Sequence, residues 1–164
     1  MGKLKELIAE RVLALGEYAA ERDVILALEP HSGTCFDLPR KALWLMEKVD
    51  HPSVRLNFDC SHFDIMGLPM ADYVPQMAPL SVHTHVKDQV GIYPNYRFLT
   101  PGSGPFDFVT YLELMHEAGY TGFIGMEVSV QVQRRSGYDP FVDAALGYWA
   151  LRHAFNMSGV PLEE

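Results

Sequence analysis

The sequence predicts an α/β fold, a parallel (β/α) barrel in which only about four βα units are present. Three observations carry that prediction. Strand-like apolar runs alternate with helical periodicities along the whole chain, which implies a parallel sheet covered by helices. No GxGxxG or GxxxxGK[ST] follows any run, so the phosphate turn common in open doubly wound sheets is missing. Each of the four runs ends in a side chain able to bind a hard cation: Glu29 after VILAL, Asp59 after VRLNF, His85 after SVHT and Glu127 after FIGM. Gathering residues from several strand ends at one face is the habit of a barrel.

The elements follow in order. Leu4, Leu7, Ile8, Val12, Leu15 and Ala19 recur at helical spacing, so an amphipathic helix opens the chain and runs to about Arg22. Val24 to Leu28 is too short for a helix and suits a buried parallel strand. Asp37 followed by Pro39 signals a helix start, with Leu38, Ala42, Leu45 and Val49 on one face. Val54 to Phe58 is the second strand. Met70 to Pro79 is a short helix containing Pro75, and Leu80 to Val86 is the third strand. Asp107 to Ala118 reads as a helix stopped by Gly119. Gly122 to Val128 is the fourth strand, and Pro140 to Phe155 the closing helix. The whole chain, 1–164, is expected to form a single domain.

Alternation along a strand assigns faces. In the second strand Val54, Leu56 and Phe58 form an apolar row, leaving Arg55, Asn57 and Asp59 opposite. In the third, Val82, Thr84 and Val86 should meet helices while Ser81, His83, His85 and Lys87 face the other way. The four end residues therefore sit on a polar inner face.

Composition narrows the function classes. Apolar residues make up 48% and charged residues 21%, values of a globular chain. A net charge of −8 with no basic run argues against nucleic acid as a partner. No stretch approaches the roughly 20 apolar residues that cross a bilayer, and the first ten residues lack a signal-peptide core. Cys35 and Cys60 make no disulfide framework, so a reducing, cytoplasmic setting is expected.

Five segments then resemble one family: LEPH (Leu28 to His31), NFDCSHF (Asn57 to Phe63), HTHVKD (His83 to Asp88), PGSGPFDF (Pro101 to Phe108) and GMEVS (Gly125 to Ser129). Together they resemble the xylose isomerase-like superfamily of sugar-phosphate isomerases and epimerases, from Val24 to Phe155. The match corresponds to the C-terminal (β/α)4 portion of that family's TIM-type barrel. A full barrel takes about 250 residues, so the expectation is a half barrel that pairs with another copy, or part of a longer product.

The resemblance implies a metal held by Glu29, Asp59, His85 and Glu127. Three carboxylates and an imidazole suit Mn²⁺ first, then Mg²⁺ or Co²⁺, with Zn²⁺ also compatible. An ion there polarises a carbonyl and stabilises the enediolate left when the adjacent C–H proton departs. By the same resemblance Glu29 and Glu127 exchange that proton as acid and base. His62 matches a histidine that bonds substrate oxygen, and Lys87 a substrate-facing basic residue. His83 is the alternative ligand to His85, and His31 reaches the site or caps a loop. The 88–106 segment, with Tyr93, Tyr96, Arg97 and Phe98, is long enough to suggest a gating lid. Arg134 and Arg135 are candidates to hold a substrate carboxylate or phosphate. Gly91 stands where the keto-sugar epimerase branch has an arginine.

The expected substrate is a small sugar or sugar phosphate, isomerised or epimerised, by a homo-oligomer. A dehydratase of an inosose or dehydroshikimate-type acid is the first alternative, because enolate formation also serves elimination. A metal-binding half barrel without turnover is the second. Endonuclease IV shares the superfamily but would need more histidines and a basic face.

Overall fold

The structure, a computed structural model, describes residues 2–162. Its elements are α1 (Gly2–Ala20), β1 (Leu26–Leu28), α2 (Pro39–Val49), β2 (Val54–Asp59), α3 (Ser61–Asp64), α4 (Met70–Met77), β3 (Ser81–Val86), β4 (Asp88–Ile92), β5 (Asn95–Leu99), α5 (Phe108–Glu117), β6 (Ile124–Met126), α6 (Val130–Gln133) and α7 (Pro140–Ser158). Four strands form one parallel sheet in the order β1-β2-β3-β6, and β4-β5 form a separate antiparallel hairpin. This is the parallel α/β architecture that the alternating pattern predicts, as a partial barrel. No helix among the described residues is long and apolar enough to cross a membrane.

The apolar row of β2 decides where the core lies. Val54, Leu56 and Phe58 are buried in one cluster with Phe63, Tyr73, Val74, Met77, Tyr111, Leu112 and Met115. Burying one such side chain is worth about 1.5–3 kcal/mol, so this layer fixes β2 and the helices over it. Rings add edge contacts: Phe58 meets Tyr73 at 6.1 Å and Phe63 meets Tyr73 at 5.3 Å. Offset and edge geometries of this kind suit aromatic quadrupoles. Helix ends are set locally. Asp107 accepts from Thr110 N at 3.0 Å to start α5, and Asp139 accepts from Phe141 N at 2.9 Å to start α7. Asp37 pairs with Lys41 one turn on instead of capping α2.

Strand parity holds for β2 but shifts within β3. Leu56 pairs with Ser81 and Asn57 with His83, which leaves Val82 as an extra residue. Such a bulge turns the strand between the two positions. Ser81 is therefore buried, donating to the Met77 carbonyl at 2.8 Å, while Val82 is exposed. From His83 onward the expected faces apply.

The 88–106 segment departs most from expectation. Its first part is the β4-β5 hairpin, anchored at its base rather than hanging as a loop. Asp88, buried, accepts from the backbone N–H of Gln89, Gly102, Gly104 and Phe106 at 2.7–3.1 Å. Gly104 is required there, because a Cβ would lie 2.4 Å from the Asp88 carboxylate. Phe98 N donates to Gln131 on α6, and Thr100 reaches the buried Asp143 of α7.

Candidate metal centre

The sheet delivers its polar face to one end. Glu29 follows β1, Asp59 ends β2, His85 lies one residue from the end of β3, and Glu127 follows β6. Parallel pairing sets Asp59 beside His85 and His85 beside Gly125, so the functional ends are level. One ligand atom from each of Glu29, Asp59, His85 and Glu127 falls within 4.8 Å of the others. Gly125 keeps the floor low: a Cβ there would be 2.7 Å from Thr84 O and 3.4 Å from the His83 ring. His83 stands at 5.2 Å from the His85 ring and is outside that group of four.

Each member is oriented by its neighbours. Asp59 is fully buried, and its Oδ1 accepts from Ser61 N at 2.9 Å and Ser61 Oγ at 2.6 Å. That leaves Oδ2 facing the cluster. Asn57 Nδ2 donates to Glu29 Oε2 at 3.1 Å and lies 3.3 Å from His85 Nδ1. His85 Nδ1 lies 3.0 Å from Glu127 Oε2 and 4.0 Å from Glu29 Oε2, so the two glutamates flank it. Lys87 Nζ is 2.5 Å from Asp59 Oδ2 and 3.0 Å from Glu127 Oε2.

His62, the first turn of α3, points Nε2 into the same cluster, at 3.6 Å from Glu29 and 3.5 Å from Asp59. Its Nδ1 meets Ser32 Oγ at 3.1 Å. His31 lies against its ring at 3.8 Å, and Phe98 of the hairpin meets it edge-on at 5.7 Å. His31 thus reaches the site through His62.

Charges follow from these contacts. The His85 bond holds the Glu127 carboxyl down at about 2, overcoming its partial burial. Glu29 is lowered for a parallel reason, chiefly its contact with His62. His85 is raised, first by its bond to Glu127. Burial works against the Lys87 ammonium, yet Asp59 and Glu127 together hold it above the ordinary lysine value. The site therefore sets the Glu29 and Glu127 carboxylates, both lowered, among the raised His85 imidazole and Lys87 ammonium.

Its donor set fits a hard divalent ion. Oxygen predominates, no thiolate takes part, and the Asn57 Oδ1 is buried without a hydrogen-bond partner. Arg135 is committed elsewhere, with two contacts of 2.9 Å to Asp143, so its role is to tie the closing loop to α7. The sequence gives Asn57 only as a polar-face residue and Phe98 only as a lid residue, and it does not mark Ser61 or Ser32 individually. Ser61 lies two residues from Asp59, a local signal in principle; the others act across 28 or more residues.

The chain resembles known proteins over most of its length. A hydroxypyruvate isomerase-like protein of Mus musculus is 26% identical over 166 residues, covering 98% of this chain and 54% of that protein. An inosose dehydratase of Geobacillus thermodenitrificans is 26% identical over 137 residues, covering 74% of this chain and 46% of its own length. The chain thus spans about half the length of the curated relatives it matches. Among solved structures, a xylose isomerase-like TIM barrel protein from Mycobacterium smegmatis in complex with magnesium superposes with a TM-score of 0.71. It is 25% identical, with 96% of this chain and 53% of that one covered. The sequence profile of that barrel class matches residues 3–142, and the chain belongs to the xylose isomerase-like TIM barrel family.

Proposed function

We propose that this chain is the C-terminal (β/α)4 domain of a divalent-metal-dependent isomerase or epimerase acting on a sugar or sugar phosphate. The observation that carries the reading is the convergence of Glu29, Asp59, His85 and Glu127 to within 4.8 Å from four separate strand ends. These four side chains would hold the ion, Mn²⁺ in the first instance, with Mg²⁺, Co²⁺ or Zn²⁺ as substitutes. When bound, it would supply positive charge beside two substrate oxygens.

The rest is the work of the side chains. Glu29 and Glu127 flank the centre as carboxylates, so one takes the proton next to the substrate carbonyl and the other returns it. Return at the neighbouring carbon is isomerisation, and return to the opposite face of the same carbon is epimerisation. His62 and Lys87 donate toward substrate oxygen, and Phe98 walls that side against water. A soluble, cytoplasmic homo-oligomer acting on a small carbohydrate completes the proposal. The isomerase-like relative supports it.

A second reading has its own support in the inosose dehydratase relative: the same proton removal followed by loss of hydroxide is a dehydration. Incubation with Mn²⁺ and a panel of ketoses and ketose phosphates in D₂O separates the two. Deuterium entering a recovered sugar is expected. A new conjugated absorbance from an inosose, with no exchange into any ketose, would replace the first reading by the second.

A further inference from the structure

The cluster already contains a cation of its own. Lys87 Nζ lies 2.5 Å from Asp59 Oδ2 and 3.0 Å from Glu127 Oε2, and its side chain is 4% exposed. These are oxygens that face the centre. Asp59 Oδ1 is taken by Ser61, so Oδ2 is the atom left to a cation, and Lys87 holds it. Glu127 Oε2 is shared between Lys87 and His85 Nδ1. His62 Nε2, at 3.5 Å, closes another side of the ammonium.

We propose that Lys87 is a built-in counter-ion of the site, and that a divalent ion binds by displacing its ammonium from Asp59 and Glu127. The inference rests on the reading of the four side chains as a cation site. Two considerations support it. A dication repels an ammonium twice as strongly as a second monocation would, and partial burial leaves that repulsion poorly screened. A carboxylate as buried as Asp59 is also costly to leave unpaired, so one cation or the other has to be present. Lysine suits the task, because its four-carbon stem lets a point charge withdraw without moving the strand. The Phe98 ring, 5.1 Å from Nζ, offers an aromatic face along which the charge can settle. Lys87 thus both preserves the cluster and limits how tightly it binds metal.

The test is calorimetric titration of the full chain with Mn²⁺ at fixed pH and ionic strength, for the wild type and Lys87→Met. Displacement predicts binding at least tenfold tighter in the variant, with a lower melting temperature in EDTA that Mn²⁺ restores. A folded variant with unchanged or weaker affinity overturns the inference while leaving the metal site standing. A wild type that binds no Mn²⁺ overturns both. If Lys87→Met does not fold, amine acetylation of the wild type read by mass spectrometry decides instead. Faster labelling of Lys87 at saturating Mg²⁺ supports displacement, and labelling that Mg²⁺ leaves unchanged or slows refutes it.

Discussion

The two central strands and the two edge strands contribute equally to the site but hold their side chains by different means. β2 and β3 are six residues each, and the Asp59 that ends β2 is fully buried with one oxygen bound to Ser61. β1 and β6 are three residues each, and the glutamates that follow them are about one-third exposed. Glu29 and Glu127 are placed largely by Asn57, His62, His85 and Lys87, which come from β2, α3 and the end of β3. The centre of the sheet thus fixes geometry, and its margins supply charge that the centre then orients.

That contrast can be broken in four places. Asp59→Ala has the largest expected effect: it leaves the Lys87 ammonium buried without its nearest partner, at a cost of about 3–5 kcal/mol. Urea denaturation measures it, and a loss no greater than that of Glu127→Gln would erase the distinction. Ser61→Ala comes next. It removes the hydroxyl donor to Asp59 Oδ1 and leaves the backbone N–H in place, so stability should fall by about 1–3 kcal/mol and Mn²⁺ affinity by about 10–100-fold. Glu127→Gln should change stability by no more than about 1 kcal/mol, because the carboxylate is partly solvated, yet abolish calorimetric Mn²⁺ binding. Retained binding would remove Glu127 from the ligand set.

The smallest effect sharpens the comparison through pH. His85 is raised above the ordinary imidazole value by Glu127, whereas Glu127 itself stays ionised down to about 2. An imidazolium cannot ligate a metal, so Mn²⁺ binding through His85 should release its proton, and affinity should rise with pH until His85 is neutral. The same shift has a stability sign. A raised histidine stabilises the fold below its unfolded value, and the contribution disappears as pH rises through the folded one. Calorimetry in buffers of different ionisation enthalpy should register proton release near neutral pH, and an affinity flat from about pH 6 to 8 would contradict it.

Much of this was legible from residues alone. Val54, Leu56 and Phe58 announce a strand because three apolar side chains at period two need a single buried face. The four end residues are legible because each terminates an apolar run. The hairpin was hidden by Gly91, Pro94 and Asn95, which read as loop punctuation. Its trace is the alternation of Val90 with Ile92 and Tyr96 with Phe98 on either side of Tyr93-Pro94. The bulge at Val82 leaves no mark in sequence, since it is set by how β3 must fit β2. The contacts of Asn57 with Glu29 and of Ser32 with His62 span about thirty residues, a pairing that only the assembled sheet and its loops create.

The anchored hairpin bears on what holds one side of the cluster in place. Its base is fastened through Asp88 to the turn before α5, through Phe98 to α6 and through Thr100 to α7. The Phe98 ring that meets His62 and Lys87 is thereby held from α6 and α7 as well as from its own strand, so one wall of the cluster depends on the last third of the chain.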